Sequence, residues 1–159
     1  MSLRVIRDAR PGAPDAVVAI GSFDGVHLGH RALLAKVVRE AAGRGLAPAV
    51  LTFEPLPREL LFPDRAPPRL STLSAKLHAF AEAGIAIASV CRFDRAFAAL
   101  APEAFAARLR QLHGARRVLV GHDFRFGARR AGDVAYLAAE GARLGFEVET
   151  LPTVADVED

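Results

Sequence analysis

The segment from residue 16 to residue 40 constrains the fold more than any other part of this sequence. Residues 16–20 (AVVAI) are apolar and partly β-branched, which predicts a buried β-strand. Residues 31–40 are strong helix formers with apolar positions at helical spacing. Between them lies GSFDGVHLGH, residues 21–30. A strand, a glycine-containing turn and a helix start therefore follow one another, as in an α/β protein.

The start of this helix is suited to binding a phosphate group. The first turn of a helix offers unpaired backbone N–H groups and a partial positive charge. His27 and His30 are three residues apart, so in a helical turn they lie about 60° apart around the axis. Gly29 leaves room for a ligand to approach the backbone. Because imidazoles can donate hydrogen bonds to phosphate oxygens, we predict that His27 and His30 are catalytic.

The segment GSFDGVHLGH, residues 21–30, is called the first motif below, and it differs from three common ligand motifs. It contains neither the Walker A pattern nor Gly-x-Gly-x-x-Gly. It does not form a convincing zinc site, because no suitably spaced His, Cys or carboxylate set accompanies the two histidines. The single cysteine, Cys91, ends an apolar run, and we interpret it as a buried structural thiol.

Composition narrows the class of protein and of partner. With 159 residues, 52% of them hydrophobic and 25% charged, we expect one soluble domain over residues 1–159. The net charge of +3 comes with dispersed arginines, which does not favour nucleic-acid binding but suits anionic small molecules. No apolar run is long enough to span a membrane. A single cysteine excludes an internal disulfide, which is consistent with the cytoplasm.

The rest of the chain predicts alternating strands and helices. After the first strand, further strands are expected over 48–53, 85–90, 118–120 and 146–151, with a short edge strand over 3–6. Helices are expected over 28–42, 73–83, 96–100 and 102–112, and a further helix, for which Asp133 is a candidate cap, runs to residue 144. This order predicts a Rossmann-like, doubly wound, mainly parallel five-stranded α/β sheet with strand order 3-2-1-4-5. Its ligand site should lie at the carboxyl edge of the strands.

A second informative loop, residues 121–127 (GHDFRFG), follows the strand over 118–120. Phe124 and Phe126 can stack on a planar ring or line an apolar wall. Asp123 can accept hydrogen bonds from a ring N–H or a ribose hydroxyl, or bind through a cation, and Arg125 can contact a phosphate. This loop also leaves the carboxyl end of a parallel strand, so we predict a ligand site there. Its residues are Gly121, Asp123, Phe124, Arg125, Phe126 and Gly127.

These motifs resemble a known family. The His-x-Gly-His core is similar to the nucleotidyltransferase signature, and the whole of GSFDGVHLGH resembles the FMN adenylyltransferase module of bacterial bifunctional riboflavin kinase/FAD synthetases. The loop GHDFRFG followed by Gly132-Asp133 resembles the same family, and the resemblance covers almost the whole chain. It implies a nucleotidyltransferase fold, ATP and FMN as substrates, and FAD and pyrophosphate as products. It also implies that Mg²⁺ accompanies ATP.

The resemblance further implies roles for individual residues. ATP and its phosphates would contact the first motif at Gly21, Ser22, Phe23, Asp24, Gly25 and Gly29, with His27 and His30 stabilising the triphosphate. The second loop would help to hold the flavin nucleotide and ATP. Leu56 occupies the position of a usual histidine in the loop after the second strand. No polar role carries over to that side chain.

Two departures from the family, and three alternatives, accompany this interpretation. In the family a riboflavin kinase domain follows, and a Ser/Thr-rich segment with an arginine contributes to ATP phosphate binding downstream; we expect residues 1–159 to lack both. We expect residues 1–159 to fold and bind FMN, but to form FAD more slowly than a chain that includes that segment.

The alternatives are a nucleotidyltransferase that uses CTP or another acceptor, a non-catalytic flavin or nucleotide sensor, and a structural fragment that binds neither ligand. The pair Phe124 and Phe126 favours a flat aromatic acceptor.

Overall fold

A six-stranded, all-parallel β-sheet forms the centre of the fold. The computed structural model describes residues 2–25, 28–65 and 69–151. The strands are β1 (Arg4–Ile6), β2 (Ala16–Ile20), β3 (Ala47–Glu54), β4 (Ile87–Arg92), β5 (Ala115–Gly121) and β6 (Glu147–Leu151). The helices are α1 (Leu28–Arg44), α2 (Pro57–Leu61), α3 (Leu73–Ala83), α4 (Arg95–Ala98), α5 (Pro102–Gln111) and α6 (Val134–Leu144).

The strand order is β1-β4-β3-β2-β5-β6. Without β1, the spatial order is β4-β3-β2-β5-β6, which is the predicted order 3-2-1-4-5. The doubly wound parallel sheet is therefore confirmed. The count of five was too low by one. The expected edge strand at the N-terminus does join the sheet, as β1, through pairs such as Val5 with Ala88 on β4.

Helices cover both faces of the sheet, which gives two hydrophobic cores. Every residue of β2 is buried, and its side chains alternate between the cores. Val18 and Ile20 belong to the core that includes residues of α5 and α6. Val17 and Ala19 belong to the core that includes residues of α1 and α3. The central strand therefore carries the first motif on a backbone that is packed from both sides.

The starts of two strands differ from the prediction because polar or capping residues changed them. Strand β5 begins at residue 115 because Arg116 and Arg117 pair with carboxylates instead of ending the strand. Strand β4 begins at residue 87 because the N–H of Ile85 donates to the carbonyl of Phe80 and closes α3. Helix α3 keeps its predicted bounds, and its cap is Thr72, whose Oγ1 accepts from the N–H of residue 75 at 3.1 Å.

Helix α2 lies in a loop for which only proline stiffening was predicted. Pro57 is its first residue, a position where the missing N–H of proline costs nothing. The carboxylate of Glu59 accepts from the N–H of Leu56 at 2.8 Å and so closes the helix start. As a result, α2 brings Arg58 towards the first motif.

Candidate active site

Both predicted loops line one cavity at the carboxyl edge of the sheet. Gly21 and Ser22 follow β2, and residues 123–127 follow its neighbour β5. The chain runs from β2 to β3 on one side and has β5 on the other, so this is where the strand order reverses. The cavity has a volume of about 400 Å³, a size typical of sites for small molecules.

Seven phenylalanines give this cavity an aromatic wall: Phe53, Phe62, Phe93, Phe97, Phe105, Phe124 and Phe126. The rings of Phe124 and Phe126 are stacked, with centroids 5.6 Å apart and 21° between their planes. Phe105 lies under Phe126, with centroids 5.0 Å apart. Phe126 is buried and Phe124 is half-buried. Phe124 is therefore the ring of this pair that a planar ligand can reach.

Two glycines let the second loop, residues 121–127, approach its neighbours closely, and this segment is called the aromatic loop below. A Cβ atom on Gly127, where φ is 79°, would lie 2.9 Å from Cγ of Pro102. A Cβ atom on Gly132 would lie 2.5 Å from the ring of Phe126. Phe126 and Gly132 also exchange two backbone hydrogen bonds, at 2.9 and 3.1 Å. The small size of Gly132 therefore sets the position of the Phe126 ring.

Four arginines line the same cavity: Arg58, Arg125, Arg129 and Arg130. The last three are exposed, whereas Arg58 is paired with Asp24. Arg129 and Arg130 have φ values of 58° and 54°, in the left-handed region that non-glycine residues rarely adopt. A cavity with aromatic walls and arginines suits a ligand that has both a flat ring and an anionic group.

The turn after β2 is held by Phe23. The N–H of Gly21 donates to the carbonyl of Leu51 on β3 at 3.1 Å. Phe23 itself has a φ of 53°, and its buried ring packs against Phe80 and His30 with centroids 5.2 Å from each. Burial of the ring offsets the energetic cost of the left-handed backbone conformation of Phe23. His30 lies in the first turn of α1 with 9% of its surface exposed.

Asp24 joins the first motif to α2 and to the segment before α3. Its carboxylate accepts from the N–H groups of Leu70 and Ser71 at 2.8–2.9 Å and from Arg58 at 2.6 Å. Burial raises the pKa of Asp24, but these hydrogen bonds outweigh it and hold the pKa below its usual value. The N–H of Gly25 donates to Oγ of Ser71 at 2.9 Å. The Asp24 carboxylate thus binds protein donors and shapes the loop.

The carbonyl oxygen of Ser22 is held from behind by two side chains. Nζ of Lys76 lies 2.9 Å from it and Oγ1 of Thr52 lies 3.1 Å from it. Both side chains have no exposed surface. The carboxylate of Glu54 lies 3.5 Å from Nζ of Lys76 and binds Arg69 at 2.8 and 3.1 Å. Burial lowers the pKa of Lys76, and the charge of Glu54 acts in the opposite direction.

The predicted site residues separate into three groups. Those that line the cavity are Gly21, Ser22, Asp123, Phe124, Arg125, Phe126 and Gly127. Those that do not line the cavity are Phe23, Asp24, Gly25 and His30, together with Gly121 at the end of β5. Gly29 lies in the first turn of α1, and His27 lies outside the described residues.

Sequence reasoning missed Arg58, Arg69 and Lys76. For Lys76 a signal was present, because residues 73, 76, 77 and 80 share one face of α3, and the other three are apolar. A lysine on the apolar face of an amphipathic helix indicates a buried, partnered ammonium group. The two arginines carry no such signal, because their partners lie 15 and 34 residues away in the sequence.

Two side chains that were interpreted as non-catalytic are fully or partly buried. Leu56 is fully buried, which agrees with the expectation that it has no polar role. Cys91 is half-buried, and burial raises the pKa of its thiol to about 11. A thiol with that pKa is protonated at neutral pH and is a poor nucleophile.

Within residues 2–25, 28–65 and 69–151, no group of three or more His, Cys, Asp or Glu side chains is arranged to hold a metal ion. In the same ranges, every helix is too short or too polar to cross a membrane.

Sequence comparison relates this chain to flavin enzymes. A sequence model of the family described as FAD synthetase matches residues 10–159. Proteins described as bifunctional riboflavin kinase/FMN adenylyltransferase from Escherichia coli (strain K12) and Haemophilus influenzae are 45% identical over 141 residues and 36% identical over 149 residues. These matches cover 88% and 92% of this chain, but 45% and 48% of the relatives. The chain therefore spans about half the length of the curated relatives it matches.

Structural comparison supports the fold. A solved structure described as a macrolide-efflux protein from Streptococcus pneumoniae matches with a TM-score of 0.74. The match covers 96% of this chain and 52% of the other, at 23% sequence identity. At that identity the likeness shows a shared fold and carries no information about activity.

Proposed function

Because the chain belongs to the FAD synthetase family, we propose that it transfers the adenylyl group of ATP to FMN, giving FAD and pyrophosphate. One observation carries this proposal: the aromatic loop and the first motif line the same cavity, through Phe124 and Ser22. We further propose that these 159 residues correspond to the adenylyltransferase part of a bifunctional enzyme, since the relatives are named for both activities and are about twice as long.

The aromatic side of the cavity supports binding of the flavin. The half-buried ring of Phe124 offers a face on which the isoalloxazine ring can stack. Arg125, Arg129 and Arg130 provide cationic groups for a phosphate beside this ring. Asp123 lines the same cavity and can accept a hydrogen bond from a ring N–H or a hydroxyl.

The first motif supports binding of the triphosphate. Gly21 and Ser22 line the cavity, and α1 begins a few residues later with its N-terminus at the carboxyl edge of the sheet. Backbone N–H groups at such a helix start favour bound phosphate. We assign His30 and His27 to the charge that develops on the triphosphate during transfer, since imidazoles can donate hydrogen bonds to phosphate oxygens.

The proposed reaction is an in-line displacement at phosphorus. An oxygen of the FMN phosphate forms a bond to the α-phosphorus of ATP. The bond from that phosphorus to the oxygen bridging to the β-phosphorus breaks, and pyrophosphate leaves with that oxygen and the electron pair. The chain supplies orientation and charge stabilisation, and no protein nucleophile is required. Mg²⁺ would enter with the substrate ATP, since it commonly binds proteins through phosphate oxygens and a few carboxylates.

Product analysis tests the proposal. The protein is incubated with Mg²⁺ and four substrate pairs: FMN with ATP, FMN with CTP, riboflavin with ATP, and FMN alone. Chromatography should show FAD only from FMN with ATP, and no FMN from riboflavin. If the protein is a non-catalytic sensor, flavin fluorescence should show that it binds FMN, and chromatography should show no FAD. Preferential reaction with CTP would assign the chain to another nucleotidyl transfer.

A further inference from the structure

We propose that Lys76 and Thr52 are positioning residues for adenylyl transfer, acting together through the backbone carbonyl of Ser22. Neither side chain lines the cavity. Both donate to the same carbonyl oxygen, at 2.9 and 3.1 Å, from two different elements, α3 and β3. The inference deepens the function proposed above and rests on it.

Burial of Lys76 indicates a role beyond packing. The side chain has no exposed surface, which is rare for lysine. Removing an ammonium group from water costs several kcal/mol, and apolar groups of similar volume often replace buried ions without loss of stability. An apolar side chain would therefore fill this position at least as well, so the ammonium group must be explained by the atoms to which it donates.

The closest of those atoms belongs to the first motif. Nζ of Lys76 lies 2.9 Å from the carbonyl of Ser22 and 3.5 Å from the carboxylate of Glu54. Glu54 already has a close partner in Arg69, at 2.8 and 3.1 Å. Neutralising Glu54 therefore does not depend on Lys76 alone, and the shorter contact of Lys76 is with Ser22.

Fixing this carbonyl orients the peptide group that follows it. In a trans peptide the C=O of Ser22 and the N–H of Phe23 point in opposite directions. When the carbonyl points towards Lys76 and Thr52, that N–H points away from them. Phe23 is itself fixed by its left-handed φ of 53° and by burial of its ring, so the peptide group between Ser22 and Phe23 is held from both sides. A preoriented backbone donor of this kind can stabilise phosphate charge without reorganising during the reaction.

The test compares Lys76→Met, Thr52→Val and Thr52→Ser with the unaltered chain. Methionine keeps the length and apolar stem of lysine, valine removes the threonine hydroxyl, and serine retains it. Lys36→Met serves as the control for loss of a lysine, because Lys36 is partly exposed and pairs with Glu149 on the sheet. For each variant, kcat and KM for FAD formation, the FMN Kd by flavin fluorescence, and the melting temperature are measured.

The proposal expects kcat to fall at least tenfold in Lys76→Met and three- to tenfold in Thr52→Val. The FMN Kd should stay within twofold, and the melting temperature should stay within a few degrees. Thr52→Ser and Lys36→Met should keep kcat near the unaltered value. If Lys76→Met does not fold, the comparison of kcat between Thr52→Val and Thr52→Ser still tests the proposal.

Two results would overturn the positioning role while leaving the proposed function intact. One is an unaltered kcat in Lys76→Met and Thr52→Val. The other is that Thr52→Val and Thr52→Ser lose kcat to the same extent, together with a lower melting temperature and a higher FMN Kd. That pattern would show that Thr52 acts through packing and not through its hydroxyl group. Absence of FAD formation by the unaltered chain would instead overturn the proposed function, and the positioning role with it.

Discussion

At the scale of single residues, neighbours in the first motif have different tasks. Ser22 lines the cavity, whereas the next residue, Phe23, has its ring in the core. Asp24 binds the backbone of residues 70 and 71. The motif pattern predicted which residues gather at the sheet edge. It could not predict which of them face the ligand, because that depends on the left-handed backbone of Phe23 and on partners far along the chain.

Replacing His30 tests the motif most simply. We expect His30→Ala to lower kcat for FAD formation about a hundredfold, because losing one donor to a developing charge costs roughly 2.7–4 kcal/mol in comparable sites. The matched control is His78→Ala, since the side chain of His78 on α3 is 75% exposed and pairs with Glu82. Steady-state kinetics of both variants, with melting curves, gives the comparison. A near-normal kcat in His30→Ala would remove this residue from the mechanism.

A second histidine should make the stability of the protein depend on pH. Burial, assisted by the charge of Arg108, lowers the pKa of His113 from 6.5 to about 4. Between these values the unfolded chain binds more protons than the folded one, so the stability falls as the pH decreases from 6.5 to 4. The shift corresponds to a loss of up to about 3 kcal/mol.

Urea unfolding at pH 7 and at pH 4.5 measures this effect. Between pH 7 and pH 4.5, the free energy of unfolding should fall by about 2 to 3 kcal/mol more in the unaltered chain than in His113→Gln. His113→Gln lacks the titrating imidazole and keeps a polar side chain. If both proteins lose the same free energy of unfolding, the pKa of His113 in the folded protein is close to its ordinary value.

At the scale of elements, local patterns predicted most helices and strands, and long-range contacts account for the differences. Helix α3 was predicted at its observed bounds, residues 73–83, because Thr72 and Gly84 mark its ends. The prediction missed the first three residues of β5, because their arginines pair with carboxylates far along the chain, such as Arg116 with Asp15. Helix α2 was missed because prolines in a loop indicate stiffness as readily as a helix start.

The aromatic loop gives a prediction at this scale. A Cβ atom on Gly132 would lie 2.5 Å from the ring of Phe126, so Gly132→Ala should displace that ring and its stacked partner Phe124. We expect the FMN Kd to rise about tenfold, which is about 1.4 kcal/mol.

The control for this change is Gly43→Ala. Gly43 lies inside α1, and a Cβ atom there would meet nothing within 4 Å. Alanine should stabilise this helix by about 0.5–1 kcal/mol and leave the FMN Kd unchanged. Fluorescence titration with FMN measures both variants. Equal FMN affinity in Gly132→Ala and Gly43→Ala would show that the Phe126 ring does not shape the flavin site.

At the scale of the whole molecule, topology brings the two motifs together. The loops at residues 21–30 and 121–127 are about 100 residues apart, but they follow adjacent strands, β2 and β5. The sequence allowed this juxtaposition to be predicted, because parallel strands of a doubly wound sheet share one carboxyl edge. The family resemblance is confirmed. The roles of individual site residues, the domain limits and the part played by Mg²⁺ stay predictions.

Transfer of the adenylyl group is the central claim, and isotopic labelling tests it most directly. The protein is incubated with FMN, Mg²⁺ and ATP labelled at either the α- or the γ-phosphorus, and the products are separated by chromatography. Adenylyl transfer predicts that the α-label enters FAD and that the γ-label appears in pyrophosphate. Appearance of the γ-label in a flavin product, or retention of the α-label in ADP, would show phosphoryl transfer and would contradict the account.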